Sequence, residues 1–520
     1  MRRTALALLV ASSGCNWVFG LTPTVPADGG ADAPDAPPSI RTKLVWGVTT
    51  TDGSGVPGPV VYAPIGSETT RPMTPQIMVG APLGMMPPLT AAPYDTSDGS
   101  FEIPYTLREA PHRIVYTLPG ETVAHEVQWS VSGATLVVPR TTRLDAALVP
   151  TNSGYTITPA GLGVSPTSPE LFTTGAYTSN VTASAFTMSG PATTFHYSAD
   201  ATSLTTPLAA PEAAKGDVVL LAERASHLNY PPGQESINGF AIASVDLVNG
   251  TLSMPSTEPA WTTSSADRIL KTSACGTDCI PSISVFNTEG RMDALGALRT
   301  TPYQERLQYG VSPSTGLPGF LPGGTPTYVD RPLILPFLDS TTIDSLLFLR
   351  DPTRVAPFAS FDRVLVARVA APRTVSGAQL TSSASVITKK FDTNPLGFDA
   401  PLALMVTLGA TDLSTADNVT FPASSQAVTL SWKPEDAIAA PDDYVVTLYE
   451  ITNNRLAPVR IYHVLAPTVA VDGSLLQPQH QYVFAISARK GMKNAAQGDF
   501  TVVTYPFSQT TTFAAAFNVQ

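Results

Sequence analysis

Charged side chains are scarce in this sequence. Asp, Glu, Lys and Arg make up 14% of 520 residues, against about a quarter in ordinary globular chains. Only 30 are basic against 41 acidic, a formal net charge of −11, which argues against an electropositive footprint for nucleic acid. Few charges beside 43% hydrophobic residues also exclude wholesale disorder, which needs high charge and little to bury. Long apolar runs are missing: the N-terminal stretch Ala5–Ala11 falls well short of the roughly 20 residues that span a bilayer. Stretches of helical periodicity are nearly absent. Cysteine is down to three, with no second pair and no nearby His to complete a four-ligand zinc site. What remains is 49 prolines, abundant Ser and Thr, and short apolar segments between Gly and Pro breaks. That composition fits an extracytoplasmic, mostly β chain, and the length suggests three to four domains at about 150 residues each.

The first residues carry a sorting pattern. Arg2 and Arg3 precede the apolar run, and Ser12-Ser13-Gly14 lead into Cys15; a basic start, a short apolar stretch and small residues at the cut define a secretory signal over 1–14. Small residues directly before a cysteine resemble the lipobox of bacterial lipoproteins, with Ser12 where that family usually has Leu. The resemblance implies that Cys15 is acylated and becomes the mature N-terminus, anchoring the chain in a membrane. Asn16 rather than Asp follows, which in that family leans towards the outer membrane, facing either the periplasm or the cell surface. Residues 15–41 include LTPTVPADGGADAPDAPPS, a Pro/Ala/Asp/Gly stretch with little to bury that reads as a semi-extended tether.

With Cys15 assigned to lipid, Cys275 and Cys279 remain, four apart in ACGTDCIP. In an oxidising compartment this pair reads as a small disulfide shaping a loop; closing so short a loop removes little unfolded-chain entropy.

From 42 to 149 the chain alternates strands and turns. KLVWGVTT leads through the turn residues of TDGSGVPGP to PVVYAPI, and YDTSDGSFEI places a turn at Ser97-Asp98-Gly99 before another strand. HRIVYTL, HEVQWSV and ATLVVPR continue the series. The order, with Gly47, Asp52-Gly53, Val60, Asp98-Gly99 and Phe101 as markers, resembles the carboxypeptidase-regulatory, transthyretin-like β-sandwich, a module that implies a fold and no catalysis. Residues 401–520 carry Trp432 on an alternating strand, then Tyr444, Val446 and Leu448 on the next. The run Leu476, Pro478, Tyr482, Phe484, Ile486, Ala488 follows. This resembles a fibronectin type III domain. The resemblance implies a tyrosine corner at Tyr482 and core positions for Trp432 and Tyr482. One departure is a second hydrophobic stretch, TVVTYPF (501–507), which suggests a bulged or extended final strand.

The segment 150–400 shows recurrent short strands and resembles no family; it suggests one or two further sandwich units. STTIDSLLFLRD (340–351) has the periodicity of a helix, and QERLQY (304–309) could form a helical turn. No G-x-S-x-G, H-E-x-x-H, P-loop or dinucleotide fingerprint occurs. Six histidines, including His125 and His463, lie too far apart to encode a metal pair and read as surface or half-buried polar residues. Acidic turns at 96–102 and 441–443 lack calcium-loop spacing. Glu223, Arg224 and His227 form the one charged cluster after a buried-looking strand and read as a solvated loop. Tyr303 and Tyr309 lie in an aromatic, loop-rich stretch and are the candidate binding surface.

The expectation is thus an all-β chain of tandem β-sandwich domains (Ig-like or fibronectin type III-like) with little helix. It would be anchored in a membrane through lipid on Cys15, with no cofactor, no catalytic residue, no metal and no nucleic acid. Its role would be binding, adhesion or envelope structure, with envelope or surface proteins or glycans as partners. The alternative is a cell-envelope hydrolase with its catalytic part in 150–400.

Overall fold

The computed structural model describes residues 40–51, 57–67, 74–80, 89–103, 113–128, 135–140, 144–145, 212, 214, 362–388, 399–436 and 438–520, with a set of strands between 154 and 312. For those strands, and for 49–51, 57–60, 362–370 and 388, only the backbone path is described. Cys15, Cys275, Cys279, Tyr303, His227 and the segment 340–351, where a helix is expected, lie outside these residues.

Among the described residues 59% are strand and 3% helix, with no helix of seven residues or more. The chain is all-β, built from tandem β-sandwiches. Period-2 alternation is the reason: on the strand Ile40–Thr51, Leu44, Trp46 and Val48 all point into one core, as successive side chains on an extended backbone must leave by opposite faces.

The N-terminal sandwich has two faces. One is a five-stranded sheet in which Ile40–Thr51 pairs antiparallel with Pro57–Pro64 and Ser100–Ile103, and parallel with Thr135–Arg140. The other comprises Gln76–Gly80, Thr90–Ala91, Arg113–Thr117 and Ala124–Val127. Between them lie Leu44, Phe101, Ile103, Ile114, Tyr116 and Leu136, among others. The turn at 95–99 is locally encoded. The Asp95 carboxylate accepts from the Ser97 amide and hydroxyl at 2.9 and 2.6 Å, and Asp98 accepts from the Ser100 amide at 3.0 Å. Gly99 sits at φ +78°, where a Cβ would meet Val45 Cγ1 at 2.8 Å, so glycine is required.

The C-terminal sandwich stacks Ala403–Leu408, Val428–Pro434 and Thr468–Val471 against a face formed by Phe507–Phe513, Gln481–Lys490, Asp443–Thr452 and Arg455–Val464. Trp432 and Tyr482 are buried in its core, and Trp432 meets Tyr444 edge-on at 5.0 Å. The Tyr482 hydroxyl accepts from the Gln477 amide at 3.0 Å, closing the corner between the two sheets. Tyr482→Phe keeps the ring and leaves that amide without its partner. Its expected cost is about 1 kcal/mol, read as faster amide exchange across 477–484.

Two features were not visible in the sequence. The stretch around 491–506 does not join the strand Phe507–Phe513, and the last strand is a separate one, Phe517–Val519. Instead it inserts Met492, Ala495 and Phe500 into the core of the N-terminal sandwich. It is fastened there by bonds from the Val137 amide to the Gly498 carbonyl (2.8 Å) and from the Phe500 amide to the Val137 carbonyl (3.2 Å). Secondly, Arg455–Val464 pairs in parallel with Ala124–Val127, so the outer faces of both sandwiches join one sheet of 13 strands among the described residues. Gln128 reinforces that seam: its side chain bonds both the Ala470 carbonyl (2.6 Å) and the Ala470 amide (2.9 Å).

Residues Gln304–Ser312 form a strand paired with Asp362–Val375, not the expected helical turn. Nine continuous antiparallel register positions outweigh a weak local preference. Asp362–Val375 in turn leads through Ala378–Thr388 onto Phe507–Phe513. Two further sheets, of five and four strands, hold the described strands between 154 and 263.

Candidate functional site

The parallel seam between Ala124–Val127 and Arg455–Val464 decides which side chains meet. Register sets His125 opposite Ile461 and Val127 opposite His463, so the two histidines share a face while Glu126 and Tyr462 share the other. On that second face Arg113 forms a buried fork with Glu126, at 2.8 and 3.3 Å.

On the first face a chain of polar contacts runs inward. Glu121, in the turn before the His125 strand, keeps an exposed carboxylate whose Oε2 lies 2.9 Å from His125 Nε2. His125 Nδ1 lies 3.3 Å from His463 Nε2. The imidazoles are nearly coplanar, 18° apart with centroids at 5.6 Å, the geometry of an edge-to-edge ring hydrogen bond. Tyr116 stacks on His125 at 5.1 Å and 7°, and Phe500 packs on His463 at 4.6 Å. The Phe500 of the inserted loop therefore holds the inner end of the chain.

Proton placement follows from the ends. A carboxylate at Glu121 accepts a hydrogen bond from His125 Nε2–H, which leaves His125 Nδ1 as acceptor for His463 Nε2–H. His463 Nδ1 then carries a lone pair, and it is buried without a protein partner. Burial, first, then the proximity of His125 and Arg489, hold the His463 pKa well below its ordinary value of 6.5, so the ring stays neutral. Burial likewise lifts the Tyr116 hydroxyl above its ordinary 10.

These groups line a cleft of about 570 Å³, within the size range of small-molecule sites. Its walls include Leu118, Val138, Ile461 and Phe500, and Trp46 lies at its edge with the Arg140 guanidinium 5.3 Å above the indole. Walls come from both sandwiches and from the inserted loop. Among the described residues no group of three or more His, Cys, Asp or Glu could hold a metal ion; the two imidazoles spend facing nitrogens on each other.

A buried neutral His makes the fold sensitive to acid. Unfolding lets His463 take up a proton below pH 6.5 while the folded ring resists it, so stability falls as pH drops below 6.5 towards the lower folded value. The charged and titratable groups around it are Glu121, His125, Arg140 and Arg489. His463→Gln is expected to flatten that part of the pH dependence, checked by thermal unfolding between pH 7 and 5.

Of the residues singled out in the sequence, Cys15, Cys275, Cys279 and Tyr303 lie outside the described residues. Tyr309 falls within the strand Gln304–Ser312, opposite Leu365, rather than in a loop. Glu223 and Arg224 lie on the strand Val219–Ser226 at a register shift, not on a loop. Asp442 and Asp443 are taken by protein partners: Asp442 accepts from the Gly491 and Met492 amides at 2.7 and 2.8 Å, and Asp443 pairs with Arg489. His125 and His463, expected as surface or half-buried polar residues, are buried, with 8% and 2% exposure. The local signal was present in VAHEV and IYHVL, where each His lies on a strand with apolar residues two positions away on both sides, Val123 and Val127 for His125, Ile461 and Leu465 for His463; their pairing across 338 positions was not. No protein-family model matches this chain, and no curated protein matches it.

Proposed function

We propose that this chain is a membrane-anchored extracytoplasmic lipoprotein that binds a ligand or partner without transforming it. The carrying observation is the order of the N-terminal residues: Arg2-Arg3, a short apolar run, Ser-Ser-Gly before Cys15, then a Pro/Ala/Asp tether. Lipid on Cys15 would anchor the chain, each buried CH₂ contributing about 0.8 kcal/mol, and the tether would hold the sandwiches clear of the headgroups. The fibronectin type III-like reading of 401–520 is supported by the Tyr482–Gln477 bond and the buried Trp432. The binding role is supported by the cleft, whose two histidines stand at set positions on strands of two sandwiches, the arrangement in which scaffolded surfaces recognise ligands. Inhibiting lipoprotein signal peptidase in producing cells tests the anchor. A heavier precursor is expected to accumulate; an unchanged mature form would overturn the reading.

A further inference from the structure

We propose that the seam between the two sandwiches is an acid-operated joint: proton uptake by the histidine pair releases the parallel ladder of Ala124–Val127 against Arg455–Val464 while each sandwich stays folded. This goes beyond the binding role proposed above and does not depend on it.

The first ground is where the pair sits. His125 belongs to one sandwich and His463 to the other, 338 positions further on, and their ring nitrogens meet at 3.3 Å. The ladder that carries them has four register positions, half as many as hold Asp443–Thr452 to Gln481–Lys490 inside the C-terminal sandwich. The two Gln128 bonds to Ala470 close its end. Ile461 and His463 stand on one side of this joint and Trp46, Tyr116 and Val138 on the other, so release also takes the cleft apart.

The second ground is proton capacity. Two facing ring nitrogens share one hydrogen between them. A proton added to His125 Nδ1 reverses their bond and leaves the positive ring facing the Glu121 carboxylate at 2.9 Å. A second added proton sets N–H against N–H and two positive rings side by side. Parted and in water, each imidazole can carry its own proton. The groups around the pair do not relieve this. Glu121 and the Tyr116 ring stand on the His125 side, and Arg140 lines the same cleft. On the His463 side are the uncharged Phe500 and the Arg489 guanidinium, to which the Asp443 carboxylate is already committed. Arg113 and Glu126 pair on the opposite face of the ladder. Burial, then the proximity of His125 and Arg489, keep His463 neutral while the joint is closed. Release therefore takes up protons: it is favoured as pH falls below the ordinary 6.5 of this imidazole and suppressed above it.

The test is amide hydrogen exchange of the purified, detergent-solubilised full chain at pH 7.5 and 5.0, corrected for the intrinsic exchange rate at each pH. Protection of the amides that cross the seam, within 124–128 and 460–464, is expected to fall about thirtyfold. That is the ratio for one imidazole that stays neutral when closed and titrates at about 6.5 when released. Protection at 44–48 and 482–486, one segment inside each sandwich, is expected to change less than about threefold. In His463→Gln the fall at the seam is expected to vanish, because a glutamine amide can still face His125 but takes up no proton. In His125→Gln it is expected to persist, because His463 must still stay neutral in the closed joint. Protection at 44–48 and 482–486 reports whether each variant folds; where His463→Gln does not, His125→Gln and the unsubstituted chain decide. Equal seam protection at the two pH values, seam and interior amides falling together, a fall that survives in folded His463→Gln, or one that is lost in folded His125→Gln would overturn the proposal.

Discussion

Arg489→Met is expected to destabilise the C-terminal sandwich by about 3–5 kcal/mol, the cost of leaving a buried carboxylate without its counter-charge. Arg489 and Asp443 are 2% and 0% exposed. They face each other across the antiparallel pair of Asp443–Thr452 and Gln481–Lys490, with Arg489 Nε donating to Asp443 Oδ1 at 2.9 Å and a second guanidinium nitrogen donating to Oδ2. Water cannot replace the lost donor at that depth. Removing both charges together, as Asp443→Leu/Arg489→Met, is expected to recover much of the loss, because the pair itself gains little over apolar packing. A chain of several domains does not unfold in one step, so the measurement is hydrogen exchange at the amides of 443–452 and 481–490. Equal protection in Arg489→Met and the unsubstituted protein would refute the expectation. Asp442, one residue earlier, holds the Gly491 and Met492 amides, at the point where the chain leaves for the N-terminal core. The single variant is therefore also expected to loosen the inserted loop.

Phe517→Ala is expected to cost about 3–5 kcal/mol, the range for truncating a fully buried aromatic ring. Phe517 is 0% exposed and touches Phe421, Tyr482 and Phe484 with ring centroids at 5.8, 5.9 and 5.7 Å. Its strand, Phe517–Val519, closes the sandwich by pairing with Val419–Phe421 on one side and with Gln481–Tyr482 on the other. The neighbouring rings are pinned by the tyrosine corner and cannot collapse into the space, which places the cost towards the upper end. Phe517→Leu, which keeps most of the volume, is expected to lose less than half as much. Comparing protection at 481–486 in the two variants separates a cavity from a general loss of the strand.

The histidine chain shows where reading a sequence stops. Alternation marks His125 and His463 as strand residues with apolar residues two positions to either side, and that much is local. Whether a strand residue is buried depends on what covers its face, and here the covers are Tyr116 on His125 and, on His463, Phe500, from a loop 37 residues further along the chain. The hydrophobic stretch at 501–507 stood out in the sequence as a departure from a regular final strand. Its apolar character reflects packing, in part against a core other than that of its own sandwich. The strand at 304–312 made a similar case: its residues have ambiguous local preference, and pairing with Asp362–Val375 settled it.

By itself the sequence determined the all-β class, the turn at Ser97-Asp98-Gly99, the buried places of Trp432 and Tyr482, and the corner bond of Tyr482. The class and the turn depend on period-2 alternation and on residues that tolerate unusual backbone angles, while the places of Trp432 and Tyr482 and the corner bond are what the resemblance to a fibronectin type III domain implied, so each is written within one segment. The tertiary structure alone decided that two sandwiches share a sheet, that one feeds a loop into the core of the other, and that Glu121, His125 and His463 line one cleft. Those facts depend on which edges meet. Backbone ladders accept almost any sequence, so edge pairing between distant strands is chosen by the summed burial of both partners, a quantity that neither segment carries alone.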